Sequence, residues 1–472
     1  MSSQNRGNVT IVGGGPVGAL QACLLSHRGY HVDLHEARKD IRRTDFVAGR
    51  SINLALSYRG IQSLKRAGLD EKIKSLGIAM HSRMIHPLNK PCYKIPYGRK
   101  GQYLLSIDRL KLNQDLLTAA EKMDNIDLHF SSKLVSCDVD TATATFKTEN
   151  EGNIDKTSQV LFGCDGAYSA VRRQLQRGLF DYAQVYIPHG YKELCIPPTC
   201  DGEYAMPPNH LHIWPRHTFM LIALPNLDKS FTCTLFMPIT KFETLKTGDD
   251  VMDLFMRVFP DSVPLIGEEF LKKDFFNLPP LPIITVKCSP YHYKNKVALL
   301  GDAAHSMTPF FGQGLNSGLE DTLLFDELME KYDCDFDKVL PMYSEIRCPD
   351  GHAISDLSHK NYIEMRDSVT SFWFLFRKKV DTILHFLFPS LIVPKYSMVA
   401  FTRTRYSKVI TDSEKNTKII NVSLIGSFAV LVGFVISAYW RTQKGESIIP
   451  EIFFTAWRSL SSTTACFRNN FL

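Results

Sequence analysis

Residues Val9 to Glu36, VTIVGGGPVGALQACLLSHRGYHVDLHE, constrain the rest of the chain more than any other stretch. Val9–Val12 is a short apolar run suited to a buried parallel strand. Gly13 to Gly18 reads as a turn, Ala19–His27 as a helix that Gly29 ends, and Tyr30–Glu36 as an alternating second strand. A βαβ unit with G-x-G-x-x-G at its first turn is a dinucleotide cradle. Gly13 permits the tight turn, Gly15 lets a pyrophosphate approach the backbone, and Gly18 lets the helix lie close to the strand. Free N–H groups and the helix dipole at that N-terminus suit a phosphate's charge. Glu36 ends the second strand, where a carboxylate accepts from ribose hydroxyls. This unit alone leaves open whether the dinucleotide is NAD(P) or FAD.

A chain of 472 residues accommodates two or three domains. Its net charge of +6 is spread out and forms no basic block, which sets nucleic-acid binding aside. Eleven scattered cysteines without a C-x-x-C pair argue against a metal site and a disulfide framework. Cys23 and Cys164 read as small core residues. The start, MSSQNRGN, reads as neither a secretory signal nor a transit peptide. Ile419–Trp440 carries no charge, is bounded by Lys418 and Arg441, and ends in Tyr439 and Trp440. A span needs about 20 such residues, so a membrane anchor is expected there, with the N-terminal part left in the cytosol. Ser371–Val393 is apolar but interrupted by charges and Pro389; it reads as packed or interfacial helices, with a short second span as the alternative.

Between these ends the grammar alternates. Tyr58–Ala67 and Leu110–Met123 read as helices, and Ser82–Tyr97, Ile126–Phe130 and Lys133–Phe146 as strands. Val160–Cys164 is a buried strand entering a turn at Asp165-Gly166, and a helix opens at Ser169. Asp165 suits either cofactor handling or the capping of that helix. From Asp181 to Cys288 helical periodicity fades; His210–Leu224 and Ser230–Pro238 are apolar β-rich runs, so a mostly antiparallel second sheet is expected. Val297–Leu300 then returns to a buried strand ending at Gly301-Asp302, which places Asp302 at the carboxyl edge of the first sheet, where ligands of open α/β sheets bind. Gly312 and Gly314 leave the N-terminus of the helix Ser317–Lys331 open to a ligand.

The three glycine motifs, Gly13–Gly18, GCDGAYSAVR at Gly163–Arg172 and LLGDAAHSMTPFFGQGLNSGLED at Leu299–Asp321, occur in this order and at wide spacing. Together they resemble the single-component flavin monooxygenases that hydroxylate aromatics, the p-hydroxybenzoate hydroxylase class. RSINLALS, RMIHPL, IPYG, YIPHGYKEL, LHIWPR, SFTCTLFMP and NYIEMR narrow the likeness to one branch and carry it into the apolar C-terminus. The resemblance implies an α/β fold. A discontinuous Rossmann-like FAD-binding domain (1–80, 101–178, 289–350) is joined to a mixed, mostly antiparallel β-sheet substrate domain (81–100, 179–288). C-terminal helices at 351–415 close the substrate pocket, and the anchor at 419–440 and a tail at 441–472 follow.

By the same resemblance FAD occupies the opening unit, and its contacts fall on Gly13, Gly15, Val17, Gly18, Glu36, Ala37, Arg38, Ala55, Arg109, Leu134, Asp165, Asp302, Leu315 and Asn316. Leu315 and Asn316, at a helix N-terminus, present N–H groups that suit a reduced flavin's charge. Substrate contacts fall on Arg83, Tyr97, Asn361 and Tyr396. The substrate implied is an aminoaryl ketone bearing an α-amino acid group, whose carboxylate Arg83 can fork; the competing reading of Arg83 is a solvated surface residue. Phe310, Phe311 and Phe275–Pro282 either wall off the flavin or pack the domains together. NADPH reduces the flavin, dioxygen adds to it, and one oxygen passes to the ring carbon beside the aniline nitrogen. No catalytic side chain, His305 included, and no metal is assigned. A lipid bilayer, that of the mitochondrial outer membrane with the catalytic part facing the cytosol, is implied for the anchor. A flavin monooxygenase of another aromatic or alkene, or a membrane-tethered flavin-binding scaffold without turnover, is the alternative. No second G-x-G-x-x-G unit exists for NADPH.

Overall fold

The computed structural model describes residues 6–44, 53–99, 101–149, 152–176, 178–366 and 392–444, together with a few positions between 376 and 384. The chain divides into two compact units between Ile410 and Thr411.

The opening βαβ unit forms as its pattern dictates. Strand Asn8–Val12 leads into helix Pro16–His27 and returns as strand His31–His35. These strands sit in a six-stranded sheet together with Ile126–His129, Leu161–Gly163, Val297–Leu299 and His292–Tyr293. All neighbours pair in parallel except the short edge strand His292–Tyr293. Leu161–Gly163 and Val297–Leu299, buried on both faces, are continuous apolar runs, whereas His31–His35 alternates; Val9, Ile11, Val32, Leu34, Leu161 and Phe162 are fully buried. The parallel register brings the carboxyl ends of four strands to one edge, and there Gly13, Glu36, Cys164-Asp165 and Leu300-Gly301-Asp302 follow their strands.

The second sheet has seven strands, in the order Leu281–Ser289, Asp181–Ile196, Phe231–Pro238, Phe219–Pro225, His210–Arg216, Ser82–Ile85 and Tyr93–Pro96. Every pairing is antiparallel except His210–Arg216 with Ser82–Ile85. Both faces are covered, and the two-residue period divides the side chains between them. In Phe219–Pro225, Phe219, Leu221 and Ala223 enter one core, while Met220, Ile222 and Leu224 enter another that also holds Tyr97, Phe310, Tyr362 and Tyr396.

The β-rich run His210–Leu224 forms two strands: it turns at His217, whose φ is +54°, and folds back on itself. One sequence expectation needs correction here. The region 181–288, expected to be mostly sheet, also contains helices, Gly248–Val258 and Glu268–Lys273 among them, which cover one face of the second sheet. The first has an intact apolar period and a full capping box of Thr247 and Asp250, while the segment after it is cut into short pieces by Pro260, Pro264 and Gly267.

The membrane-spanning expectation also changes. Tyr406–Gln443 is one helix and contains the uncharged stretch. Side chains at 423–425, 427 and 428 fall outside the described residues, and among the described ones no helix is long and apolar enough to cross a membrane. Positions 371–375 and 385–391, most of the segment expected to form interfacial helices, likewise lie outside the described residues.

Candidate functional site

The glycines of the first turn divide by what a side chain at each would meet. A Cβ on Gly13, which has a φ of +108°, would lie 2.4 Å from the Cys164 carbonyl oxygen, and one on Gly18 would lie 2.0 Å from the Gly13 oxygen. The fold itself requires both. A Cβ on Gly15 meets nothing within 4 Å. Its absence leaves open space at the start of helix Pro16–His27, whose N-cap residue, Gly15, provides no side-chain cap. A bare glycine and uncapped N–H groups facing a cleft fit a pyrophosphate.

Glu36 completes this edge. Its Oε2 accepts from the Gly14 N–H at 2.8 Å and its Oε1 from the Arg38 N–H at 2.9 Å, which fixes the carboxylate over the turn. Ala37 and Arg38 are exposed beside it. The N–H of Ser132 donates to the Glu36 carbonyl, bringing the start of strand Lys133–Asp138 alongside; the Leu134 side chain on that strand is buried in the main core. Val17 draws three segments together: its side chain fills the space that a Cβ on Gly301 (3.1 Å) or Gly318 (2.7 Å) would need. The first turn, the Gly301-Asp302 strand end and helix Gly314–Lys331 therefore meet at one residue. Asp302 is exposed among buried neighbours and so is open to a ligand at this edge.

Helix Gly314–Lys331 has no side-chain cap at Gln313, which leaves its first N–H groups free. The Asn316 side chain is not available for a ligand: its Nδ2 donates to Ala55 O (2.8 Å) and Gly312 O (2.6 Å), and its Oδ1 accepts from Ser57 N (2.7 Å). Only its backbone N–H can serve a cofactor. Asn316 thereby pins Ala55 to the helix N-terminus. Ala55 lies on strand Asn53–Leu56, which pairs with Leu104–Asp108, and Arg109 follows at the start of its helix, exposed. Asp165 resolves toward structure: it accepts from Ser169 Oγ (2.5 Å) and from the N–H groups of Ala170 (2.6 Å) and Val171 (3.2 Å), while Ser169 is the N-cap. Sequence reasoning missed Arg172, which is buried and donates to Ala303 O (2.7 Å) and Ala167 O (2.6 Å), tying the second glycine motif to the third.

Arg83, Tyr97 and Tyr396 come together about 300 residues apart in sequence. Arg83 is only 3% exposed, which rules out a solvated surface arginine. Its Cζ lies 4.6 Å from the Tyr396 ring centre and 5.8 Å from that of Tyr97, and the two rings stack at 5.5 Å. Among the described residues Arg83 Nε and Nη1 and the Tyr97 hydroxyl have no partner at full hydrogen-bond geometry, while the Tyr97 and Tyr396 phenols lie close enough to interact with the guanidinium. Burial pushes both phenols up, so each remains a protonated donor. Glu364, which sequence reasoning also missed, places Oε1 3.8 Å from Arg83 Nη1, too far for a hydrogen bond. A buried guanidinium with unused donors fits a carboxylate, and a carboxylate close by fits an ammonium. Asn361 donates to Phe310 O at 2.7 Å and so anchors Phe310, which stacks on Tyr362 at 3.8 Å and meets Phe236 edge-on. These rings belong to the apolar cluster that also holds Tyr97 and Tyr396, beside the charged pair. His305 is spent on structure, with its Nε2 2.7 Å from the buried Asp321 carboxylate.

Other features of the surface do not compete for this role. A cavity of about 530 Å³ lined by Ser136, Asp138, Thr145, Gln174 and Tyr293 contains none of the candidate residues. Asp33, His35 and His129 bring ligand atoms within 4.8 Å of one another. Asp33 Oδ1 already bonds His129 Nε2 (3.0 Å) and Lys156 Nζ (3.2 Å), and that ammonium opposes a cation.

Fold and site define a flavoprotein class. Residues 6–358 match the family described as FAD binding domain. Among solved structures, 2-methyl-3-hydroxypyridine-5-carboxylic acid oxygenase covers 77% of this chain and 94% of its own with a TM-score of 0.64 at 19% identity, a likeness of fold. Among curated proteins, kynurenine 3-monooxygenase of Sus scrofa is 53% identical over 424 residues, 90% of either chain. The enzymes so named from Anopheles gambiae (47%, 89% of this chain, 87% of that one) and Caenorhabditis elegans (40%, 93% and 99%) agree along nearly the same length. The chain belongs to the kynurenine 3-monooxygenase family.

Proposed function

We propose that the chain hydroxylates L-kynurenine to 3-hydroxykynurenine with bound FAD, NADPH and dioxygen. The observation that carries the substrate assignment is the buried Arg83 with unused donors beside Glu364, a ready-made seat for an amino acid's carboxylate and ammonium. The family relationship supplies the activity.

The cleft above Gly15, the uncapped helix at Gly314 and the exposed Asp302 would hold FAD, which supplies the redox chemistry when bound. The protein orients, desolvates and balances charge. Arg83 and Tyr97 fix the substrate's carboxylate, and Glu364 accepts from its ammonium. Phe310, Tyr362 and Phe236 hold the aniline ring in an apolar space that keeps bulk water away from the reacting carbon. The N–H groups of Leu315 and Asn316 offer fixed positive potential to the flavin.

Attachment to a lipid bilayer, that of the mitochondrial outer membrane with the catalytic part in the cytosol, is part of the same proposal. It is supported by the exposed apolar side chains of the C-terminal helix, including Val422, Val430, Leu431, Phe434, Val435 and Trp440. Sedimentation with cell membranes at neutral pH tests it; recovery of the protein in the soluble fraction refutes it.

The activity is tested by product identification after incubation with kynurenine, NADPH and oxygen. NADPH oxidation stimulated by kynurenine without 3-hydroxykynurenine would make kynurenine an effector only. A flavin-loaded protein that consumes no NADPH under any condition would favour a scaffold.

A further inference from the structure

Arg59 occupies an unusual place. It is 1% exposed and lies on helix Tyr58–Arg66, directly after the strand that carries Ala55. Its Nη1 donates to both oxygens of Glu320 at 2.8 and 2.9 Å, and Glu320 sits on helix Gly314–Lys331, one turn from Asn316. Its Nε donates to Val399 O at 2.8 Å, and its Nη2 to Met398 O at 3.3 Å and to Thr404 O. Val399 and Met398 belong to the C-terminal end of helix Lys395–Phe401, the helix that carries Tyr396, and Thr404 follows it; Thr402 Oγ1 also donates to Met398 O at 2.6 Å. The ring of Tyr406 lies under the guanidinium at 4.0 Å, and its hydroxyl donates to Gln313 Oε1 (3.0 Å), at the N-cap of the flavin-facing helix. Arg347 neutralises the other side, bonding Glu320, Asp321 and Ser317.

We propose that Arg59 is a positioning residue for the reaction, fixing Tyr396 of the substrate seat against the helix whose N-terminus faces the flavin. The proposal rests on the kynurenine reading. One planar fork bonds both elements at once, so the distance from substrate ring to flavin is set by rigid, fully desolvated contacts. A helix end with orphan carbonyls has few other ways to be held at a fixed angle, and Arg59 supplies the donors. A lysine there keeps the charge but loses the fork, so it can serve Glu320 or the carbonyls but not both.

The test is Arg59→Lys, measured on FAD-loaded protein against wild type and against Val339→Ala, a core truncation in the six-stranded domain. Three quantities are read: kynurenine affinity from the perturbation of flavin absorbance, 3-hydroxykynurenine formed per NADPH consumed, and hydrogen peroxide. An NADPH that yields no product passes its hydride, with a proton, to dioxygen as hydrogen peroxide. Arg59→Lys is expected to keep FAD, weaken kynurenine binding, release peroxide, and lose on the order of 100-fold in productive kcat/KM, the scale for misplacing a reacting group by about 1 Å. Val339→Ala is expected to melt earlier yet keep its product-to-NADPH ratio. If Arg59→Lys does not fold, Glu320→Gln, which retains one acceptor oxygen, is expected to shift the same ratio in the same direction. Wild-type coupling and affinity in the variant that folds, or equal uncoupling in Val339→Ala, overturn the proposal. Failure of the wild-type protein to form 3-hydroxykynurenine overturns instead the reading on which it rests.

Discussion

Replacing Arg83 by methionine separates a binding role from a structural one, because the two predict opposite effects on stability. Arg83 is 3% exposed, its Nε and Nη1 have no acceptor at full hydrogen-bond geometry among the described residues, and Glu364 stands 3.8 Å away. Without substrate this is a buried charge poorly satisfied, and a methionine of similar length removes its desolvation cost. The Glu364 side chain keeps 22% of its exposure and can be hydrated once the guanidinium is gone. With substrate the balance reverses. Stripping one partner from a buried charge pair costs about 2–5 kcal/mol. A value near 3 kcal/mol corresponds to a loss of on the order of 100-fold in kynurenine affinity. The assay pairs a thermal melt of the substrate-free, FAD-loaded protein with titration of kynurenine against flavin absorbance. Arg83→Met is expected to melt no earlier than wild type and to bind kynurenine about 100 times more weakly. An unchanged Kd, or a clear loss of stability without substrate, refutes the reasoning.

Other substitutions test neighbouring parts of the argument. Gly15→Ala meets open space and is expected to fold normally but lose FAD, whereas Gly18→Ala, with its Cβ 2.0 Å from the Gly13 oxygen, is expected to lose at least about 1–3 kcal/mol of stability; flavin content and circular dichroism melts distinguish them. Glu364→Gln removes the acceptor for the substrate's ammonium and is expected to weaken kynurenine binding by about 1.5–3 kcal/mol with FAD affinity unaltered, read by the same titration. Burial, and after it the charge of His129, depresses the His35 imidazole to about 3, so the folded state resists its protonation. Because the folded value lies below the unfolded one, stability is full above about pH 6.5 and falls as pH drops toward 3. Replacing His35, which stacks on Phe146, by Phe is expected to flatten that acid limb by up to roughly 3 kcal/mol in denaturant titrations at pH 7 and pH 4; parallel limbs in variant and wild type count against it.

The cofactor edge was legible in the sequence because its requirements are local. Gly13, Gly15 and Gly18 lie within six residues, and the strand, turn and helix around them each have their own period. Gly301-Asp302 could be placed at the same edge because a buried strand precedes it. What escaped reading has no local signature. Arg59 and Glu320 are 261 residues apart, and a buried arginine has no period that separates it from a solvated one. Glu364 looked like any charged helix residue until the fold carried Arg83 toward it. Gly248–Val258 carries a helical period at Val251, Leu254, Phe255 and Val258 that the sequence reading overlooked, whereas the helices after it were hidden because Pro260, Pro264 and Gly267 cut them shorter than a recognisable period. Asp165 was ambiguous because the same carboxylate suits a cap and a cofactor, and only the positions of Ala170 N and Val171 N decide.

The meeting of Val17 with Gly301 and Gly318 has a consequence for how the protein comes into being. The cradle for the flavin is spread from the thirteenth residue to the three hundred and eighteenth, and its parts lock around a single side chain. During synthesis Glu36 and then Cys164 reach the first turn early, but Gly301 and Gly318 arrive only after about two thirds of the polypeptide has left the ribosome. Flavin capture is therefore a late event and an all-or-none one. A fragment ending before residue 318 has the signature of a dinucleotide cradle in its sequence and only part of the cradle in its structure, so acquisition of yellow colour marks the completed catalytic unit.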